Sequence, residues 1–283
     1  MVAARRAAMS EAPILVLGEP GSGRSTLARG LHAMSQRGSG PLAEVDISTI
    51  PSSLFESELF GYRAGAFTGA EESSPGRLEG VAGGTLLLDH VEDIPLPAQP
   101  KLLRLLAENR YAPLGGVERV ADVRFLGIGS DDLPQRVLQG RFRQDLFYRL
   151  EVVTLRLPPL RERLGDLELL LDFFLGDLRQ RFGAEPLEVS DRARGWMRDY
   201  SWPGNLRELR NVLERAVILH EDGPLDPPCP DPRGGEPESL AEVERKHILR
   251  VLGYTRGHQG RAADLLGISR KTLWQKRRLY GIP

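Results

Sequence analysis

The sequence predicts an α/β fold built around a phosphate-binding loop, followed by a separate small helical unit. Three observations support this prediction: a glycine-rich loop after a short apolar run, a second apolar run that ends in an aspartate, and a basic C-terminal segment behind a Pro/Gly-rich stretch. The length of 283 residues corresponds to about two domains of ordinary size. A hydrophobic content of 41% with 27% charged residues is typical of a globular protein and excludes disorder throughout the chain.

The first predicted element is a strand, loop and helix over the stretch ILVLGEPGSGRST. The apolar run from Ile14 to Leu17 predicts a buried strand, and the spacing of Leu27 and Leu31 predicts a helix after the loop. The loop has the spacing of the phosphate-binding motif G-x-x-x-x-G-K-[ST], with Arg24 at the lysine position. Its glycines let backbone N–H groups converge on phosphate oxygens. The predicted nucleotide-binding residues of the loop are Gly18, Glu19, Pro20, Gly21, Ser22, Gly23, Arg24, Ser25 and Thr26.

The second predicted element is a buried parallel strand in GGTLLLDH, which runs from Thr85 to Leu88 and ends in Asp89. A carboxylate at this strand end suits the shell of a magnesium ion, and Ser25 suits a second protein ligand. A glutamate that orients water usually follows this aspartate, but His90 occupies the position here. A neutral imidazole can take that role if another group orients it, and the sequence indicates no such group.

A change of composition predicts a boundary near the C-terminus. Residues 221–240 contain six prolines and three glycines, which prevent a continuous helix or a central strand, so we predict a linker there. Residues 241–283 hold ten lysines and arginines against three acids, a net charge of +7 that leaves −8 on the rest. A basic unit joined to a mildly acidic one predicts a polyanionic partner for the small unit.

The pattern of the basic segment predicts a helix, a turn and a second helix. The helical period begins at Leu240 and resumes in GRAADLLGISRKTLWQKRRLYGIP. Gly267 suits the turn, and Ser269 suits the N-cap of the last helix, whose Leu273 and Leu279 are expected to face inward. The exposed face of this helix would then reach phosphates and base edges in a major groove of DNA. The predicted DNA-binding residues are Ser269, Arg270, Lys271, Thr272, Gln275, Lys276, Arg277 and Arg278.

Several classes of protein are disfavoured by the sequence. No apolar run approaches the roughly 18 residues of a membrane span, and the stretch MVAARRAAMSEAP lacks the apolar core of a signal peptide. The single cysteine, Cys229, can form neither an internal disulfide nor a multi-cysteine metal site. We therefore expect a cytoplasmic protein with no membrane partner.

The hexapeptide GAFTGA, residues 65–70, lies in a predicted loop whose small residues leave the backbone free to form an exposed tip around Phe67. It resembles the signature loop of bacterial activators of sigma-54 RNA polymerase, which are members of the AAA+ ATPase superfamily. The resemblance covers nearly the whole chain, because FESELFG, GGTLLLD, KLLRLL, GRFRQDLFYRL, LPPLRER and WPGNLREL occur in the family's order and approximate spacing. The basic segment likewise resembles the Fis-type DNA-binding domain that ends many of these activators.

The resemblance implies an AAA+ P-loop domain with a parallel sheet, followed by a helical lid and a small all-α helix-turn-helix domain. The expected boundaries are residues 1–160 for the α/β nucleotide-binding part, 161–220 for the lid, 221–240 for the linker and 241–283 for the DNA-binding domain. It also implies a homo-oligomer, ranging from a dimer through the first helix of the DNA-binding domain to a ring. The implied partners are an upstream activating DNA sequence and sigma-54 RNA polymerase.

The resemblance also implies roles for individual residues. Phe67 and Thr68 would contact the sigma factor, and nucleotide turnover would raise and lower their loop. Arg143 and Arg149 in GRFRQDLFYRL match arginine fingers that reach the terminal phosphate held by a neighbouring subunit. Arg207 in WPGNLREL matches a sensor arginine of the lid that touches the nucleotide. The full predicted contact with sigma-54 is Gly65, Ala66, Phe67, Thr68, Gly69 and Ala70.

Four departures from the family fall in the catalytic machinery. Arg24 keeps the positive charge of a lysine but donates in a rigid planar fork, which is expected to weaken the binding of ATP and Mg²⁺. His90 lacks the carboxylate that polarises the attacking water. Ser130 stands where the family has an asparagine that senses the γ-phosphate. The fourth departure is the short segment before the first strand, only thirteen residues where the family has a further helix and loop. MVAARRAAM is interpreted as the remnant of that helix, so that the chain is either truncated or binds the base differently.

Hydrolysis is therefore expected to be slow or absent, because a phosphate contact and a water-orienting carboxylate typically contribute several kcal/mol each. Ser25 is a departure in the other direction, since it restores the general magnesium ligand where this family often has glutamate.

Two functions remain open from the sequence. The first is an ATP-driven activator that binds upstream DNA, assembles a ring and remodels the closed complex of sigma-54 RNA polymerase. The second is a degenerate, non-hydrolysing DNA-binding regulator or hetero-oligomer subunit, which Arg24, His90 and Ser130 favour. An unrelated P-loop enzyme is disfavoured, because no substrate-specific motif is present and the C-terminal segment has the pattern of a DNA-binding module.

Overall fold

The chain forms two compact units, residues 1–229 and residues 230–283. The computed structural model describes residues 2–182, 188–219, 223–229, 244–245, 247–249, 251–252, 255, 258–280 and 282. Most of the predicted linker, 221–240, lies outside the described residues, and so does Leu240, the predicted start of the basic unit. Among the helices in these ranges, none combines the length and the apolar character needed to cross a membrane.

The first unit contains a five-stranded parallel sheet and two short hairpins. The strands are β1 (Ile14–Gly18), β2 (Leu42–Asp46), β3 (Gly61–Tyr62), β4 (Ser74–Pro75), β5 (Thr85–Asp89), β6 (Arg110–Tyr111), β7 (Arg119–Val120), β8 (Arg124–Gly129) and β9 (Val153–Leu157). The sheet has the order β2-β5-β8-β1-β9, and every pairing in it is parallel. Two predicted strands are confirmed: β1, which precedes the glycine-rich loop, and β5, which ends in Asp89. Because all five strands run the same way, their carboxyl ends meet at one edge of the sheet.

Helices cover both faces of the sheet. The helices whose bounds the described residues define are α1 (Val2–Ala8), α2 (Arg24–Ala33), α3 (Phe55–Phe60), α4 (Gln99–Glu108), α5 (Leu133–Leu138), α6 (Gln144–Leu150), α7 (Leu167–Phe182), α8 (Asp191–Asp199), α9 (Asn205–Ile218), α10 (Gln259–Leu266) and α11 (Arg270–Leu279). Successive residues of a strand point to opposite faces. Ile14 and Val16 therefore pack in the cluster that includes α2, whereas Leu15 and Leu17 pack in the cluster that includes α4 and α6. Both faces are buried, which explains the continuous apolar runs of β1 and β5.

Helices α7, α8 and α9 enclose a separate apolar core around the fully buried Trp202. Residues 223–229 pack against this core, because Leu225 is 1% exposed and the indole of Trp196 donates to the carbonyl of Pro227. The predicted linker of 221–240 therefore begins too early, since part of it is held in the first unit by an apolar side chain. The predicted helical lid is confirmed, because the segment that follows the last sheet strand in the chain folds into helices α7, α8 and α9.

The described part of the second unit is helical. Helices α10 and α11 meet through the buried side chains of Ala262 and Leu273. The turn between them has Gly267 at φ +65°, a left-handed conformation that favours glycine, and the Ser269 hydroxyl accepts from Thr272 N at 3.0 Å as the N-cap of α11. The predicted helix, turn and helix are confirmed.

One expectation about α11 is wrong. Leu273 is buried, but Leu279 is 75% exposed rather than inward-facing. Six residues rotate by about 600° around an α-helix, which places Leu279 about 120° away from Leu273. Tyr280, seven residues after Leu273, packs against the core instead.

Candidate functional site

The loop between β1 and α2 forms a tight cradle at the carboxyl edge of the sheet. Gly21 has φ +77°, and a Cβ atom at this position would lie 2.4 Å from the carbonyl oxygen of Gly204 in the lid. Only glycine fits this approach. The hydroxyl of Ser22 is buried and has no hydrogen-bond partner among the residues that the structure describes. Successive N–H groups at such a turn and at the start of a helix provide donors for phosphate oxygens.

The loop and the end of β5 converge, as the sequence predicts. The Ser25 hydroxyl donates a hydrogen bond to Asp89 Oδ2 at 3.3 Å. A hydroxyl and a carboxylate are hard oxygen ligands of the kind that Mg²⁺ takes, usually together with phosphate oxygens and water. The donor set present at Ser25 and Asp89 therefore fits a magnesium ion bound with a nucleotide.

Arg24, at the lysine position of the loop, is 8% exposed and points back into the sheet edge. Its Nη1 donates to the carbonyl oxygens of Gly18, at 2.8 Å, and Gly129, at 2.6 Å. The guanidinium thus links the carboxyl ends of β1 and β8. In this arrangement Arg24 is engaged with the protein backbone.

The predicted sensor position, Ser130, is held through its backbone by an acidic residue. The Glu92 carboxylate is 8% exposed and accepts from Ser130 N at 3.3 Å. This N–H belongs to the same peptide bond whose carbonyl oxygen, that of Gly129, accepts from Arg24. The Ser130 hydroxyl itself donates to the carboxylate of Asp132. Arg24 and Glu92 therefore fix one peptide at the end of β8 from both sides, a role that the sequence alone did not indicate for Glu92.

His90 lies beside Asp89 and contacts a second strand end. Its Nδ1 is 2.9 Å from Asp46 Oδ1 at the end of β2. Burial raises the pKa of the Asp46 carboxyl, but hydrogen bonds from Ser48 and His90 more than offset this and lower the pKa below its usual range. The sequence indicated no group to orient His90, and Asp46 corrects that expectation. The contact joins residues 44 positions apart, and no linear motif contains both.

The lid closes over the loop through the start of α9. The buried side chain of Asn205 accepts from Leu160 N at 2.7 Å and donates to Glu19 Oε2 and to the carbonyl of Pro20, each at 3.1 Å. Hydrogen bonds from Arg161 and then Asn205 lower the pKa of Glu19 to about 2. No local pattern indicates this role, because Asn205 contacts residues that are 45 and 186 positions away in the sequence.

Asn205 thus anchors the lid to the loop. The predicted sensor Arg207 follows two residues later on α9 and is exposed. A Cβ atom at Gly21 would lie 3.2 Å from the Arg207 Cβ, so the backbone of Arg207 runs beside the phosphate-binding loop. The structure thus brings the predicted sensor position to the same site as the loop and Asp89.

The two predicted arginine fingers belong to α6 and its N-cap, and both side chains are exposed. Arg143 makes a two-pronged ion pair with Asp145, with distances of 2.7 Å and 3.1 Å. Arg149 donates from Nε to the carbonyl of Leu106 at 3.0 Å. Within this single chain both guanidinium groups therefore bind neighbouring protein groups.

The hexapeptide at residues 65–70 forms an exposed tip above the hairpin of β3 and β4. The tip is closed by a hydrogen bond from Gly65 N to the Ala70 carbonyl at 2.8 Å. Phe67 is 45% exposed and packs one side against the ring of Tyr62, with centroids 5.0 Å apart. The base is joined to the second hairpin, because Arg63 N donates to the Leu114 carbonyl at 2.9 Å. An exposed aromatic ring on a supported tip is available for contact with a partner.

Helix α11 and its N-cap Ser269 carry the predicted DNA-binding residues, of which Thr272, Lys276 and Arg277 are half-buried and the others are exposed. Arg270, Lys271, Gln275 and Arg278 are exposed, whereas Lys276 is half-buried and its Nζ lies 2.6 Å from Glu244 Oε1. Lys276 is three residues from the buried Leu273, which places it near the inner face of the helix. The exposed cations form a face on which no acidic residue of α11 intervenes.

Comparison with protein families divides the chain into three matched segments. Residues 1–156 match the sigma-54 interaction domain, residues 161–228 match the AAA+ ATPase lid domain, and residues 239–280 match the bacterial regulatory proteins of the Fis family. The first segment contains the glycine-rich loop, Asp89 and the tip at residues 65–70.

Curated relatives match along nearly the whole chain. The alginate biosynthesis transcriptional regulatory protein AlgB of Pseudomonas aeruginosa is 44% identical over 99% of this chain, and the regulatory protein AtoC of Escherichia coli is 40% identical over 97%. This chain spans 64% of the length of each of these relatives. The crystal structure of NtrX from Brucella abortus in complex with ATP has a TM-score of 0.74 and 30% identity, and covers 99% of this chain and 67% of NtrX.

Proposed function

The chain belongs to the family of sigma-54-dependent transcriptional activators, with an AAA+ lid and a Fis-type DNA-binding domain, and on this basis we propose that it binds ATP, DNA and sigma-54 RNA polymerase. It would bind an upstream activating sequence through α11, assemble from dimers into a ring, and act on the polymerase through the tip at residues 65–70. Its ATP turnover would be slow in comparison with a site that has lysine and glutamate at positions 24 and 90.

The observation that carries this proposal is the convergence of the phosphate-binding loop and Asp89. The Ser25 hydroxyl and Asp89 Oδ2 are 3.3 Å apart beside a glycine cradle that contains the buried Ser22 hydroxyl. Ser25 and Asp89 would hold magnesium, and the loop from Gly18 to Thr26 would surround the phosphates. The ion held there would supply positive charge against the negative charge that develops on the phosphate oxygens. ATP is the nucleotide proposed because the solved relative NtrX is described in complex with it.

Slow turnover follows from the side chains that surround this cradle. Arg24 can reach a phosphate only after its two hydrogen bonds to the Gly18 and Gly129 carbonyls break. Hydrogen bonds to a charged group contribute about 1.5–3 kcal/mol each, so this rearrangement opposes nucleotide binding. Ser130 is shorter than an asparagine, and its hydroxyl is already bonded to Asp132.

The remaining catalytic residues would act from the lid and from a neighbouring subunit. Arg207 lies beside the loop and would contact the phosphates from the lid side. Arg143 and Arg149 would reach the γ-phosphate held by the next subunit of a ring, where a guanidinium stabilises developing negative charge. Arg143 would first exchange its partner Asp145 for that phosphate.

Contact with sigma-54 is assigned to the tip, with Phe67 and Thr68 at its centre and Gly65, Ala66, Gly69 and Ala70 shaping the turn. The half-exposed ring of Phe67 supports this role, because large apolar groups at the surface are typical of protein interaction sites. The two hairpins, β3–β4 and β6–β7, are joined at the foot of the tip and hold it in a defined position relative to the sheet domain.

A two-part binding experiment tests the proposal. The first part measures binding of ATP with and without Mg²⁺, for which we expect tighter binding with Mg²⁺ and loss of that difference in Ser25→Ala. Ser39→Ala is the matched control, because Ser39 is exposed and lies outside the loop. No binding of ATP by the wild type would contradict the proposal.

The second part measures binding of purified sigma-54 by the full chain loaded with ATP. We expect Phe67→Ala to lose sigma-54 binding while it retains the ATP affinity of the wild type. Leu138→Ala is the matched control, since it also removes an exposed apolar side chain, and Leu138, which is 88% exposed, belongs to α5 and not to the tip. Equal binding of sigma-54 by wild type and Phe67→Ala would contradict the assignment of the tip.

A further inference from the structure

The outer face of α11 carries one large aromatic side chain among its cations. Trp274 is 55% exposed, although the residue before it, Leu273, is fully buried. Trp274 is outside every set of residues assigned above to DNA, ATP, magnesium or sigma-54. Single exposed apolar residues are common on protein surfaces, so the position of Trp274 on the helix decides whether it has a role.

Helical geometry places Trp274 in the middle of the cationic face. Residues four apart lie on the same side of an α-helix, one turn or about 5.4 Å from each other. Arg270 and Arg278, which are both exposed, therefore flank Trp274 along one line of the helix. Lys271, three residues before Trp274, is exposed beside this line. A helix that presents Arg270 and Arg278 to a DNA duplex must present Trp274 to it as well.

The indole of Trp274 is held by one of these arginines. The guanidinium carbon of Arg278 lies 5.8 Å from the centroid of the Trp274 ring. This distance is within the range of cation–π attraction. Each side chain restricts the other, so both lose less conformational freedom when a partner binds. The part of the indole that Arg278 does not cover is apolar and exposed.

The surroundings of Trp274 do not have the character of a protein interface. The core of such an interface is a patch of neighbouring apolar residues from which charged residues are depleted. The other large apolar side chain exposed on α11 is Leu279, which is five residues further along and therefore about 140° away around the helix axis. Trp274 thus lies among cations, which are complementary in charge to a nucleic acid.

The major groove of DNA offers an apolar group that an indole can contact. Each base pair presents hydrogen-bond donors and acceptors there, and thymine adds the methyl group on C5. Apolar side chains recognise thymine by packing against this methyl group. Phosphates, in contrast, are bound by cations and hydrogen-bond donors and carry no sequence information.

We propose that Trp274 is a specificity-determining residue, which packs against the methyl group of a thymine in the major groove and so selects thymine at one position of each half-site. This inference rests on the DNA-binding part of the proposed function. The cations of α11 supply attraction to phosphates, which every sequence shares, whereas Trp274 supplies discrimination between bases. A two-fold dimer places one Trp274 in each half-site.

Deoxyuridine tests this contact without any change to the protein. The wild-type full chain selects its preferred duplex from a randomised pool, and each thymine of that duplex is then replaced in turn by deoxyuridine. The exchange removes the methyl group and keeps every hydrogen-bond donor and acceptor of the base. Burial of one methyl group corresponds to about a fourfold change in affinity, so we expect about this loss at a thymine of each half-site.

Three variants isolate the contribution of the indole. Trp274→Ala should bind the thymine duplex more weakly and become insensitive to deoxyuridine at the position where the wild type is sensitive. Trp274→Phe keeps an apolar ring and should keep most of the sensitivity. Leu279→Ala is the matched control, because it removes another exposed apolar side chain from the same helix, and it should bind both duplexes as the wild type does.

The salt dependence of binding provides a second readout. Loss of one phosphate contact reduces the slope of log affinity against log salt by about 1, whereas loss of an apolar contact leaves the slope unchanged. We therefore expect Trp274→Ala to keep the wild-type slope. A purely structural role for Trp274 would lower the affinity for the thymine and deoxyuridine duplexes by the same factor.

Each outcome either supports or overturns the inference. Wild-type binding that is insensitive to deoxyuridine at every position would overturn it, and DNA binding itself would then stand. A Trp274→Ala variant that retains the wild-type sensitivity, or whose salt slope falls by about 1, would also overturn it. If the wild type enriches no duplex from the pool, the DNA-binding part of the proposed function fails and the inference fails with it.

Discussion

The anchor between the lid and the phosphate-binding loop gives a prediction whose magnitude can be derived from the structure. Asn205 is fully buried and is the acceptor for Leu160 N at 2.7 Å. Substitution by alanine leaves this buried N–H without its partner, which costs about 1–3 kcal/mol. The lost bonds to Glu19 and to the Pro20 carbonyl add less, because Glu19 is partly exposed and can bind water.

A backbone contribution adds to the hydrogen-bond loss. Asn205 has φ +52°, in the left-handed region that asparagine tolerates and alanine does not, at a cost of about 1 kcal/mol. We therefore expect Asn205→Ala to lower the free energy of unfolding by about 2–4 kcal/mol. Asn205→Gly removes the same side chain without the backbone strain, so it should be less destabilised by about 1 kcal/mol.

Urea-induced unfolding, followed by the fluorescence of Trp196 and Trp202 in the lid, measures these differences as shifts of the transition midpoint. Asn211→Ala is the matched control, because Asn211 is exposed on the same helix, and we expect a change below about 0.5 kcal/mol. A loss below 1 kcal/mol in Asn205→Ala, or greater destabilisation by glycine than by alanine, would refute the reasoning.

Three further predictions concern the cradle, the anchor and the DNA-binding helix. Gly21→Ala should weaken ATP binding more than tenfold in a titration, because its Cβ would lie 2.4 Å from the Gly204 carbonyl at φ +77°; unchanged affinity would contradict the close approach. The folded-state pKa of Glu19 is about 2, below its usual 4.5, so its stabilising contribution is complete above about pH 4.5 and is lost as the pH falls towards 2. The melting temperature of the wild type should therefore fall more than that of Glu19→Gln between about pH 5 and pH 3, and parallel curves would argue against the contact with Arg161. Lys271→Ala should reduce the slope of log affinity for DNA against log salt by about 1 through the loss of one phosphate contact, whereas an unchanged slope would remove Lys271 from the interface.

The parts of the site that could be predicted from the sequence are those encoded locally. The strand, loop and helix around Gly18 to Thr26 form a contiguous pattern, and Asp89 ends an apolar run of the length of a strand. Gly267 and Ser269 likewise act on their immediate neighbours, as a turn and as an N-cap. Each of these predictions needed only the chemistry of nearby residues and the periodicity of helices and strands.

The contacts that the sequence did not indicate join distant segments through the edge of the sheet. Asp46 meets His90, and Asn205 meets the loop at Glu19, because strand order and lid position bring them together. Glu92 lies 38 residues before Ser130, and only the pairing of β5 with β8 brings its carboxylate to the Ser130 N–H. The inward orientation of Arg24 was missed for the same reason, since its acceptor at Gly129 is 105 residues away.

The central claim is that ATP held between the loop and Asp89 allows the tip at Phe67 to act on the polymerase. Opening of a promoter by sigma-54 RNA polymerase, measured with the full chain in the presence and absence of ATP, tests it most directly. We predict opening that requires ATP, is abolished by Phe67→Ala, and becomes faster in the double variant Arg24→Lys, His90→Glu. Opening that is equal with and without ATP, or that persists in Phe67→Ala, would contradict the account.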